Sequence, residues 1–128
     1  MKRLILGLAL IGLVAVTAAC SSGGGGAPAT GGSATVTAGG SVTIVTKDLK
    51  FLTTSITAPA DAAFVIELDN QESVPHNIAV SDATGASVFK GEIVTAAKVA
   101  NAIPALAAGS YPFICDVHPD MKGTITTE

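Results

Sequence analysis

Arginine occurs once in this sequence, at Arg3, and cysteine, histidine and methionine occur twice each. Each scarcity excludes something. With its one Arg among the first residues and a formal net charge of −3, the chain has no basic patch to neutralise a phosphate backbone, so nucleic acid is not an expected partner. Two Cys allow one disulfide at most, and two His cannot build a pair of separate histidine-rich centres. No glycine-rich phosphate loop, serine-nucleophile motif, internal repeat or Met- or His-rich tract is present.

What is there begins with a leader. Met1-Lys2-Arg3 is positive, Leu4 to Val16 is almost continuously apolar, and Thr17-Ala18-Ala19-Cys20 follows. The pattern is that of a secretion signal over residues 1–19, with an apolar run short of the roughly 20 residues a spanning helix needs. Small residues before a Cys, then Ser21-Ser22 and Gly23 to Gly26, resemble the processing site of bacterial lipoproteins, although Thr17 stands where Leu is commoner. That resemblance implies lipidation of Cys20 and a chain held on the outer face of a bacterial membrane or in the periplasm. If Cys20 carries lipid, Cys115 has no disulfide partner, and an unpaired thiol in an oxidising compartment invites metal binding.

Residues 20–40 are mostly Gly, Ala, Ser and Thr, a composition that reads as a lipidated Cys followed by a flexible linker. The folded unit is then expected over residues 41–128, as one domain and a monomer. Its sequence reads as strands. Val42, Ile44 and Thr46 alternate with Thr43, Val45 and Lys47, and Phe64, Ile66 and Leu68 oppose Val65, Glu67 and Asp69. Such period-two patterns predict half-buried antiparallel strands, and turn-forming clusters between them space the strands as in a β-sandwich. Thr95 to Leu106 is ambiguous, because its alanines favour helix. Pro104 and the alternation of Val99, Asn101 and Ile103 favour a strand followed by a loop.

The rare residues fall into this pattern. His76 shares a strand face with Ile78 and Val80, Cys115 with Tyr111 and Phe113, and Met121 with Gly123 and Ile125, while His118 lies on the connecting turn. Singly, each has a plain explanation: Cys and Met fill cores, and a lone His is commonly incidental. Together they bring a thiol, two imidazoles and a thioether to one end of a sandwich. Soft sulfur suits Cu(I), imidazole tolerates both copper states, and a trigonal set with a weak axial Met suits a blue copper site. Zinc accepts His and Cys, but Met is a poor zinc ligand. Asp116 and Asp120 read as solvated loop residues.

His76-Asn77, followed by Gly109-x-Tyr-x-Phe-x-Cys115-x-x-His118-Pro-x-Met121-x-Gly123, resembles the cupredoxins, and the short ligand loop is most similar to that of amicyanin. The resemblance implies an all-β Greek-key sandwich or barrel of about seven to eight strands holding one copper ion. It implies Cys115, His76 and His118 as equatorial ligands and Met121 as the axial one. Asn77 would tie the two ligand-bearing segments together, and the His118 ring edge would face the surface where electrons pass.

The function this implies is single-electron transfer between redox proteins at the bacterial cell envelope. Ile114 and Asp116, not His, flank Cys115, so the relay to a second copper used by multicopper oxidases and copper nitrite reductases has no counterpart, and an enzyme is not expected. The alternative is an envelope protein that binds copper for delivery or storage.

Overall fold

The computed structural model describes residues 31–128. The expected signal segment and Cys20 lie outside the described residues. Ten strands run in chain order: β1 (Gly32–Thr35), β2 (Ser41–Lys47), β3 (Lys50–Phe51), β4 (Thr53–Ala58), β5 (Phe64–Asn70), β6 (Ala79–Ser81), β7 (Ser87–Lys90), β8 (Lys98–Ile103), β9 (Gly109–Ile114) and β10 (Lys122–Thr127). They form a six-stranded sheet in the order β1-β4-β10-β9-β6-β7 and a four-stranded sheet in the order β3-β2-β5-β8. The molecule is all-β, as expected, with ten strands among the described residues in place of seven to eight because short pieces such as β1 and β3 pair without a clear sequence pattern.

Alternation sets the two inner faces. Val42, Ile44 and Thr46 of β2 are buried, as are Phe64, Ile66, Leu68 and Asn70 of β5, and their neighbours on the strand point outward. Phe51, Phe113, Ile56, Ile78, Val80, Ile103 and Ile125 complete the core between the sheets. The Phe51 and Phe113 rings meet tilted at 5.5 Å, within the range aromatic pairs favour. The ambiguous segment resolves as a strand: Asn101 and Ile103 of β8 are buried and Lys98, Ala100 and Ala102 are exposed, and Pro104 ends it.

Two expectations need correction. First, β2 and β5 pair in parallel, with Val42 opposite Ile66 and Ile44 opposite Leu68, not antiparallel. Alternation reports which face of a strand is buried, not its direction; here β4, lying between them in sequence, crosses to the other sheet before the chain returns. Second, the folded unit begins before residue 41. β1 pairs in parallel with β4 from Gly32 opposite Thr53 to Thr35 opposite Thr57, and Val36 is 4% exposed in the core. Gly, Ser, Ala and Thr give no apolar signal, yet a short edge strand needs only backbone hydrogen bonds and one apolar anchor.

Candidate metal centre

At one end of the sandwich, β5 and β9 finish and β10 begins, and three rare side chains converge there. The coordinating atoms of His76, Cys115 and His118 lie within 4.8 Å of one another. Cys115 Sγ is 3.7 Å from His76 Nδ1 and 3.9 Å from His118 Nδ1, and the two imidazole rings are 4.9 Å apart. His76 and Cys115 are fully buried, whereas His118 is half-buried. Met121 is buried in the same core and closes the loop that carries Cys115 and His118.

The local backbone explains why that loop presents its side chains inward. Cys115 N–H donates to Met121 O at 3.0 Å, continuing the β9–β10 ladder, and Met121 N–H donates to His118 O at 2.9 Å, closing a tight turn inside it. The ladder bond sets Cys115 beside Met121, the turn brings His118 back over them, and Pro119 restricts the backbone within that turn. His76 arrives from the β5–β6 connection. Its N–H donates to Val94 O at 3.0 Å and its carbonyl accepts from Val94 N–H at 2.9 Å, an isolated antiparallel bridge that fixes the residue without a full strand.

Asn77 joins the two segments. Its Oδ1 accepts from Asp116 N–H at 2.9 Å, and its Nδ2 donates to Asp116 Oδ2 at 2.8 Å and to Gly91 O at 3.2 Å. Asp116 is exposed, as its place in the loop suggested, and its carboxylate is also tied to the Asn77 segment. The Asn77 amide, and then Lys90 at 3.1 Å, hold its carboxyl below the usual Asp range. Sequence reasoning missed a second carboxylate, Glu72, whose Oε2 lies 3.0 Å from His76 Nε2. Its only signal was a place four residues before a His, which by itself means little.

The donor set fits copper: one cysteine sulfur, two imidazoles whose Nδ1 atoms face it, and a thioether, with Cys115 and Met121 set in the hydrophobic core. Fold and site together define a class, and the chain belongs to the family described as cupredoxin-like domains, whose pattern it matches over residues 9–127. Among individual proteins it is similar to amicyanin from Paracoccus versutus, 34% identical over 89 residues, a match covering 69% of this chain and 65% of that protein. The match thus spans just under two thirds of the relative's length. The crystal structure of amicyanin from Paracoccus versutus superposes with a TM-score of 0.56 at 32% identity, covering 69% of this chain and 81% of that one. An amicyanin variant in its Cu(I) form, 22% identical, shares the fold with a TM-score of 0.56 over 69% of this chain and 82% of its own.

Proposed function

We propose that this chain is a type 1 (blue) copper protein that carries single electrons between redox proteins at a bacterial cell envelope, held there by lipid on Cys20. The observation that carries the reading is the asymmetry of the site. Two candidate ligands, His76 and Cys115, are fully buried, and His118 alone reaches the surface. Copper bound there would supply a one-electron couple, taking an electron from a reduced donor protein as Cu(II) and giving it to an oxidised acceptor as Cu(I).

The residues divide the work accordingly. Cys115, His76 and His118 would hold the ion and Met121 would complete the set. Burial of Cys115 and His76 keeps water away, and the Asn77 clamp restrains the loop so that little reorganises when the charge changes. His118 offers the shortest path to a partner, and the exposed Ile93 and Val117 lie next in sequence to site-forming residues, where a partner could exclude water without strong charge pairing. A closed four-ligand site leaves no position for substrate, which supports a carrier, not an enzyme. The same closure argues against delivery or storage, which needs ready exchange of the ion.

One experiment tests the proposal. The whole chain is expressed in a bacterium, fractionated, loaded with Cu(II) and examined by visible absorption and electron paramagnetic resonance. The expected result is an intense blue band with narrow copper hyperfine splitting, in a membrane fraction that Cys20→Ala empties. A colourless protein, or a weakly absorbing complex with ordinary splitting, would refute the copper site; a Cys20→Ala variant that stays with the membrane would refute the anchor.

A further inference from the structure

The β5–β6 connection contains a run of hydrogen bonds, buried at Asn70 and part-buried at Glu72, that ends on His76. Asn70, the last residue of β5 and 2% exposed, accepts from Thr46 Oγ1 and from Glu72 N–H, both at 2.9 Å, and donates from Nδ2 to the carbonyls of Val74 and Val94 at 2.8 Å. The Glu72 carbonyl accepts from Ala96 N–H at 2.9 Å. The backbone of Glu72 is thus fixed from both sides. Its carboxylate is fixed as well: Leu49 N–H reaches both oxygens at 3.3 Å. Leu49 sits in the two-residue turn joining β2 to β3, where Asp48 and Leu49 both have positive φ, 53° and 55°. That is a costly conformation for Leu, and it is the one that turns the Leu49 N–H toward Glu72.

What this arrangement does follows from hydrogen-bond chemistry. A carboxylate can only accept, so the Nε2 that faces Glu72 Oε2 at 3.0 Å carries the ring proton, and Nδ1, 3.7 Å from Cys115 Sγ, keeps its lone pair for the cluster. We infer that Glu72 is a positioning residue for His76, fixing the tautomer and ring orientation that aim Nδ1 into the site and raising its strength as a donor, so that the site favours the more highly charged copper state and its reduction potential is lowered. The inference rests on the copper reading above. It assigns the β2–β3 turn a part in tuning the site from the opposite side of His76.

The test compares the full chain with Glu72→Gln, which keeps the shape and an accepting oxygen but removes the charge. Glu72→Gln is expected to retain the blue band while the preference for Cu(II) over Cu(I) falls about tenfold, which raises the potential by about 59 mV. Asp69→Asn, which alters a neighbouring carboxylate bonded to Gln71 and Lys98 instead of a ligand, is expected to leave the potential where it was. An unchanged potential in Glu72→Gln, or an equal rise in Asp69→Asn, overturns the inference while leaving the copper reading intact. Absence of the blue band in the unmodified protein would instead refute the copper reading. If Glu72→Gln takes up no copper, proton NMR of the metal-free unmodified protein decides: a slowly exchanging, strongly downfield His76 Nε2–H supports the assignment, and a rapidly exchanging one overturns it.

Discussion

Asn77 is fully buried and makes three hydrogen bonds, two of them to Asp116 and one to Gly91 O. Replacing it by Ala would strand the Asp116 N–H and the Gly91 carbonyl without their partner and open a void beside the Cys115 loop. The Gly91 carbonyl is buried and the Asp116 N–H part-buried, and a stranded buried group costs about 1–3 kcal/mol, so Asn77→Ala should lower the stability of the metal-free protein by about 1–3 kcal/mol. Urea unfolding of the two proteins measures this, and a loss below 1 kcal/mol would show that the clamp is dispensable without metal. Residues of this kind mark the limit of the sequence. Cys115, His118 and Met121 stand out because their spacing is local and the residue types are rare. Glu72 and the Asp116 carboxylate do not, because their roles depend on partners brought up by distant segments and Asp and Glu are common on any loop.

The β6–β7 hairpin shows how one side chain can hold an element. Asp82 Oδ1 accepts from Thr84 Oγ1 at 2.6 Å, Thr84 N–H at 2.8 Å and Ala86 N–H at 3.0 Å, while Gly85, with φ of 87°, lets the chain reverse. The Thr84 hydroxyl first, then the Ala86 N–H, lower the Asp82 pKa. A carboxyl depressed in the folded state binds its proton more readily when unfolded. Its contribution is therefore complete above the unfolded value of about 3.9 and is lost as pH falls through the lower folded value. Protection against hydrogen exchange across Ser81 to Ser87, taken relative to the intrinsic rate at each pH, should fall below about pH 4 in the unmodified protein, and Asp82→Asn should flatten that dependence. An identical pH profile in the two would mean the turn is held by its backbone alone. Turn clusters such as Asp82-Ala83-Thr84-Gly85 were legible because turn chemistry is local. Strand direction was not: nothing in the alternation of Val42, Ile44 and Thr46 distinguishes a parallel neighbour from an antiparallel one.

On the scale of the molecule, the order β1-β4-β10 places Gly32 opposite Thr53, and the paired Ser33, Ser55 and Thr124 continue the same level across the sheet. β1 and β10 run in the same direction, so the described chain starts at the end of the sandwich that carries Met121 and the candidate site. Any segment that leads into residue 31 therefore joins the domain at the end that carries His118, and not at the opposite one. The apolar pattern suggested that the domain starts at residue 41, yet the segment before it holds the fold. Val36 N–H donates to Thr57 O at 2.9 Å, Gly39 N–H to Ala63 O at 2.8 Å, and Val65 N–H to Gly40 O at 2.9 Å. Burial of Val36 contributes about 1.5–3 kcal/mol, and each hydrogen bond adds a net 0.5–1.5 kcal/mol at about room temperature. Ordering the segment's backbone offsets part of that gain. A protein of residues 41–128 should therefore be less stable than one of residues 31–128 by about 2–4 kcal/mol, read from urea midpoints of the metal-free forms at equal slope. Equal midpoints would mean that β1 lies on the sheet without contributing, and the domain would begin where the hydrophobic alternation does.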